Sequence, residues 1–107
     1  EANWGLGESI VSGVAAPDTF VVGKADGKMR QQVVGAKARM TIPGGNGTRE
    51  VDTPRAMRAK ASLEPAQLTQ ILDLLRELEA EMGWPVDVEC AFYKGKLYLL
   101  QCRPITV

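Results

Sequence analysis

The sequence predicts an α+β fold: a mainly antiparallel sheet with one long helix packed on it. Three observations carry this. Short β-prone runs separated by glycine-containing turns fill the first half of the chain. A single stretch with apolar residues at helical spacing follows. Two further alternating runs around Lys94-Gly95-Lys96 close the chain. Strands followed by a helix and a hairpin, rather than strict β-α-β alternation, favour antiparallel pairing. At 107 residues the chain is the size of one small domain, and residues 1–107 are expected to form one.

In order, Trp4-Gly5-Leu6-Gly7 reads as a tight turn leading into a short apolar helix that stops near Gly13. Pro17-Asp18 signals a turn and residues 19–22 a strand. Asp26-Gly27 predicts a hairpin turn, with residues 29–34 as the returning strand. Residues 36–42 read as another strand, residues 43–47 as a loop and residues 48–51 as a short strand. Lys37 and Arg39 would then share one strand face, as a solvated basic edge or a reach toward phosphate. Residues 55–61 are basic and weakly patterned. Pro65 opens the helix, where its missing N–H costs nothing. Leu68, Ile71, Leu72, Leu75, Leu78 and Met82 form one apolar stripe, suited to packing on the sheet. Gly83 and Pro85 end the helix. Trp4 reads as a packing residue rather than a stacking platform.

The closing hairpin carries the chemistry. Glu89 and Gln101 are twelve residues apart with Gly95 at the midpoint, so a hairpin folded about Gly95 sets them nearly opposite. Gln101 and Arg103 share a face because strand side chains alternate. A carboxylate, an amide oxygen and a guanidinium on one surface suit Mg²⁺ and phosphate. The other reading, a solvated polar sheet face, stands beside it. A register shift of one residue would separate the pair.

Composition excludes several classes. Thirteen basic and thirteen acidic residues give zero net charge, against a nucleic-acid partner. No apolar run approaches the roughly 20 residues a membrane helix needs, and no basic-then-apolar leader is visible. The absence of histidine removes imidazole catalysis and phosphohistidine chemistry from this chain. Cys90 and Cys102 read as reduced, inward-facing thiols of a cytoplasmic protein, on the face opposite Glu89 and Gln101.

Two segments, taken together, resemble the phosphoenolpyruvate synthase and pyruvate phosphate dikinase family. One is Glu1 through Gly13 with Pro17-Asp18-Thr19-Phe20; the other is Asp87-Val88-Glu89-Cys90 with Leu99-Leu100-Gln101-Cys102-Arg103-Pro104-Ile105-Thr106. Rifampicin phosphotransferases share both motifs. The resemblance implies the C-terminal part of an ATP-grasp-like ATP-binding domain, an excised piece of a longer enzyme. It implies Mg²⁺ on Glu89 and Gln101, and ATP phosphates on Arg103. Gly5 and Gly7 would bring backbone near the nucleotide, or simply form a turn. In the family ATP phosphorylates a carrier histidine, and the phosphoryl group then passes to pyruvate or a similar acceptor. The N-terminal ATP-grasp subdomain and the phosphohistidine domain would be partners outside this chain, and the isolated chain is expected to be inactive. Cys90 and Cys102 depart from the family's usual residues. The alternative is a non-catalytic nucleotide-binding or protein-interaction module derived from this fold.

Overall fold

The structure, a computed structural model, describes residues 1–11, 13 and 16–105. Ser12 and Thr106, which belong to the segments and motifs read above, lie outside the described residues. The elements are α1 (Glu8–Val11), β1 (Thr19–Val22), β2 (Met29–Val33), β3 (Arg39–Gly44), β4 (Gly47–Asp52), α2 (Arg55–Arg58), α3 (Pro65–Met82), β5 (Val86–Tyr93) and β6 (Lys96–Pro104). The α+β composition and the antiparallel pairing follow the sequence expectation. The single sheet does not: the strands form three separate two-stranded pairs, β1-β2, β3-β4 and β5-β6. The chain divides into two compact units, Glu1–Glu64 and Pro65–Val107.

In the first unit, residues 1–9 are tied to the strands. Ala2 and Asp18 form an antiparallel bridge, as do Leu6 and Thr41. Gly5 makes the second approach possible. Its φ is +78°, and a Cβ there would lie 2.4 Å from the Thr41 carbonyl oxygen, closer than any side chain can stand. Nearby, the Ser9 and Thr41 hydroxyls hydrogen-bond in a buried position. Thr48 Oγ1 donates to Glu8 Oε2 at 2.9 Å.

The β3–β4 turn corrects the expected loop. Pro43, Gly44 and Gly47 belong to the strands, leaving only Gly45 and Asn46 as the connection. A two-residue hairpin needs a positive φ that glycine supplies, and Gly45 sits at +56°. α2 also forms where the sequence shows only weak patterning.

The interior of this unit is polar. Asp18 is fully buried, and its carboxylate accepts from four groups. Lys37 Nζ at 2.6 Å and the Gly35 N–H at 2.8 Å reach Oδ1. The Ser62 N–H and hydroxyl, each at 2.7 Å, reach Oδ2. Lys37 is itself fully buried, has φ +44°, and also donates to the Gly35 carbonyl at 3.0 Å. This overturns the shared basic edge. Strand β3 begins only at Arg39, because Lys37 turns the backbone left-handed and inward. Arg39 is engaged with Glu50 at 2.9 Å and Asp52 at 2.5 Å. A buried ion pair survives only when its remaining hydrogen-bonding positions are filled, which Gly35 and Ser62 do here.

In the second unit, α3 runs from Pro65 to Met82, 18 residues, and packs against β5. Its expected stripe is half-buried, apart from Met82, which is exposed. Gly83, at φ +78°, closes the helix with its N–H on the Glu79 carbonyl at 2.8 Å. Glu79 Oε2 then accepts the Val86 N–H at 3.0 Å, which joins the helix end to the start of β5.

The Asp18 cluster sets an acid limit. Burial by itself pushes the Asp18 carboxyl up, but the Lys37, Ser62 and Gly35 donors together hold it below the ordinary carboxylate value. An unfolded aspartate titrates near about 3.9. The unfolded chain therefore binds more protons than the folded one between that value and the lower folded one. The stabilisation is complete above the unfolded value and is lost as pH falls through the folded value. Denaturant unfolding of wild type and Asp18→Asn should show a stability gap at pH 7 that narrows steadily below about pH 4. A gap independent of pH would contradict the assignment. Lys37→Met, which leaves a buried carboxylate uncompensated, should cost about 3–5 kcal/mol at pH 7.

Candidate functional site

The β5–β6 hairpin holds Glu89, Gln101 and Arg103 and the closing motif from Asp87 to Pro104. Its turn is Lys94-Gly95, with φ of +50° and +79°. Two consecutive positive φ values give the turn whose twist matches that of the flanking strands. From the turn outward the pairs are Tyr93↔Lys96, Phe92↔Leu97, Ala91↔Tyr98 and Cys90↔Leu99. A regular ladder would next pair Glu89 with Leu100. Instead the register shifts, and the following pairs are Glu89↔Gln101, Val88↔Cys102, Asp87↔Arg103 and Val86↔Pro104. Leu100 is the extra residue of a β-bulge.

The expected Glu89–Gln101 pairing is therefore present, by a route that symmetry about Gly95 does not describe. A two-residue turn moves the axis by half a residue, and the bulge restores it. The bulge also decides the faces. Strict alternation along β6 would put Leu97, Leu99, Gln101 and Arg103 together. Cross-strand partners share a face, so the observed register groups the residues differently. One face carries Asp87, Glu89, Ala91 and Tyr93 with Arg103, Gln101, Tyr98 and Lys96. The other carries Val86, Val88, Cys90 and Phe92 with Pro104, Cys102, Leu99 and Leu97.

On the polar face Glu89 is half-buried, while Gln101 and Arg103 are exposed. Arg103 Nε donates to Asp87 Oδ2 at 3.1 Å. This engages one edge of the guanidinium and orients the group. Asp87 was not singled out by sequence reasoning, although its position two residues before Glu89 on a strand was the available signal. Toward the turn, Lys96 Nζ lies 5.4 Å from the Tyr98 ring centre and Lys94 Nζ 5.4 Å from that of Tyr93.

Cys90 and Cys102 are free thiols and half-buried on the apolar face, as expected. Burial pushes the Cys90 thiol up, so it is a poor nucleophile at neutral pH. Among the described residues no group of three or more acidic or thiol side chains could hold a metal by itself. A divalent ion at Glu89 and Gln101 would draw its remaining ligands from phosphate and water. That matches the habit of Mg²⁺, which takes few protein oxygens.

The glycine segment lies in the first unit. Gly5 is occupied in its close approach to Thr41. The Gly7 carbonyl accepts the Ile10 N–H at 3.1 Å, starting a helix of only four residues. Trp4 is half-buried and its indole N–H donates to the Met57 carbonyl at 2.8 Å, a packing role as expected.

Comparison with known proteins places this α+β chain in a family. Residues 1–107 match the pyruvate phosphate dikinase AMP/ATP-binding domain, and the chain belongs to that family. It is 38% identical over 107 residues to a probable phosphoenolpyruvate synthase of Methanocaldococcus jannaschii, covering 99% of this chain and 9% of that protein. It is 37% identical over 114 residues to the phosphoenolpyruvate synthase of Pyrococcus furiosus, covering 98% of this chain and 14% of that protein. It is 39% identical over 105 residues to the prodigiosin synthesizing transferase PigC of Serratia marcescens, covering 96% of this chain and 12% of that protein. The chain thus spans a small fraction of each relative's length. Among the described residues no helix is long and apolar enough to cross a membrane.

The turn makes a direct prediction. Lys94 holds a left-handed conformation, in which its Cβ crowds the following carbonyl oxygen at a cost of about 1 kcal/mol, and which suits Asn better. Lys94→Asn should stabilise the chain by a few tenths to about 1 kcal/mol in denaturant unfolding. A loss of stability would contradict the turn assignment.

Proposed function

We propose that this chain supplies the metal- and phosphate-binding hairpin of an ATP-binding domain in a phosphoenolpyruvate synthase-like phosphotransferase, and that the chain corresponds to the C-terminal part of an ATP-grasp-like domain. The observation that carries this reading is the pairing of Glu89 with Gln101, with Arg103 next on the same face.

Glu89 and Gln101 would hold Mg²⁺, one with charge and one with a neutral oxygen. The bound ion would neutralise phosphate charge. Arg103, kept permanently cationic, offsets charge on the transferring phosphoryl group without moving a proton. Its Nε bond to Asp87 leaves the outer guanidinium nitrogens for phosphate oxygens. Gly5 and Gly7 serve this reading by shaping the first unit, with the nucleotide contact assigned to the hairpin.

The chain has no histidine to carry a phosphoryl group, so the carrier belongs to another part of the parent polypeptide, as does the acceptor site. Arg103 and the ligand pair face solvent, where charge interactions are screened. By itself the chain therefore does not complete phosphoryl transfer. Its free thiols fit a reducing, cytoplasmic setting. A second reading, a non-catalytic interaction module, draws on exposed Trp84, Leu99 and Ile105; it gives no reason to gather Glu89, Gln101 and Arg103.

Calorimetric titration separates the two. Mg·ATP should bind wild type, and Glu89→Ala should weaken that binding by about tenfold, the loss of roughly one charge-assisted contact. Without Mg²⁺ the two proteins should differ little. Equal Mg·ATP affinity in wild type and variant would overturn the metal assignment.

A further inference from the structure

The β3–β4 turn carries a reactive pair that the closing hairpin does not use. Asn46 is one of two asparagines in the chain and is followed by Gly47. Both are exposed, and among the described residues the Asn46 side chain makes no hydrogen bond. A carboxamide can be attacked by the main-chain nitrogen of the next residue, and the Cβ of that residue is the chief steric obstacle. Gly47 has none, although its place in the fold would admit one. Its φ lies outside the left-handed region, and no atom stands within 4 Å of where a Cβ would be. The turn needs glycine at Gly45, with φ +56°, but has no such need at Gly47. Gly44↔Gly47 is the last pair of the ladder, and such ends open at little cost. The chain supplies two comparisons. Asn3 is half-buried, precedes the bulky Trp4 and donates through Nδ2 to the Arg39 carbonyl at 3.1 Å. Asp26 also precedes a glycine, but its carboxylate accepts the Lys28 N–H at 2.9 Å and Arg30 Nη2 at 2.7 Å. An ionised carboxylate resists nucleophilic attack.

We propose that Asn46 is a site of spontaneous covalent modification, deamidation through a succinimide to isoaspartate and aspartate. The Gly47 nitrogen gives its proton to hydroxide and bonds to Asn46 Cγ. The Cγ–Nδ2 bond breaks, and that nitrogen leaves as ammonia. Water then opens the ring at one carbonyl or the other. The sum is asparagine plus water giving acid plus ammonia, with nothing oxidised or reduced. The product adds one negative charge to a chain of zero formal net charge. The isoaspartate form also places an extra methylene in the main chain. A two-residue turn has no slack for it, so the pairs Gly44↔Gly47 and Pro43↔Thr48 are displaced. The Thr48 hydroxyl ties this end of the hairpin to Glu8 at 2.9 Å, so the change reaches the start of α1.

Unaltered protein, kept warm at mildly alkaline pH, should gain about one mass unit, mapped to residue 46 by peptide mass spectrometry. A protein isoaspartate methyltransferase with labelled S-adenosylmethionine should label the same peptide. Gly47→Ala should slow the gain by about tenfold or more, a decade of rate corresponding to about 1.4 kcal/mol of barrier. Its denaturant midpoint should match that of wild type, because the added Cβ meets open space. A gain appearing first at Asn3 would overturn the proposal. So would folded protein that gains nothing at residue 46 under conditions that deamidate it in urea, or equal rates in wild type and Gly47→Ala.

Discussion

One unpaired residue governs the hairpin on which the functional reading depends. Leu100 shifts the β5–β6 ladder by one position, so every residue after it on β6 changes face. Without that shift, the register set by the Lys94-Gly95 turn would place Gln101 and Arg103 with Leu97 and Leu99. With it, Gln101 meets Glu89 and Arg103 meets Asp87, while Cys102 joins the apolar side. The bulge therefore reconciles two demands on one strand: an apolar face, and a polar face that carries Glu89, Gln101 and Arg103.

The first unit rests on a different constraint. Among the described residues, its fully buried side chains are Asp18, Lys37, Ser9 and Thr53 rather than large aliphatics. Asp18 joins the N-terminal bridge with Ala2, the turn at Gly35 to Lys37, and the segment at Ser62. Short two-stranded pairs are marginal by themselves, so such a polar hub contributes what a larger apolar core would otherwise supply. It is specific because each donor has one position, and it is sensitive to acid because its centre is a carboxylate.

Much of this was legible in the sequence where a local signal acts alone. The stripe from Leu68 to Met82, Pro65 at the start and Gly83 at the end specify α3 through helical periodicity and backbone chemistry. Glu89 and Gln101 were legible as a pair, and Arg103 as their neighbour. The bulge was not, because the extra residue is a leucine among leucines and hides in an unbroken apolar run. Lys37 misled for a related reason: its neighbours suggest a strand, but a buried aspartate nineteen residues earlier turns it inward. The loop at residues 43–47 proved to be mostly strand, since glycines that permit a loop also permit a tight hairpin. Separation of the strands into three pairs is a tertiary outcome with no local signature.

Paramagnetic relaxation tests the central claim, that the register brings Glu89, Gln101 and Arg103 to one bound ion and its phosphates. Mn²⁺ would replace Mg²⁺ at substoichiometric levels in isotope-labelled protein with ATP present. The account predicts selective broadening of the Gln101 side-chain amide and of the backbone signals of Glu89 and Gln101. Arg103 should broaden next. Broadening centred on other carboxylates, such as Glu50 or Asp52, or spread evenly over the chain, would contradict it.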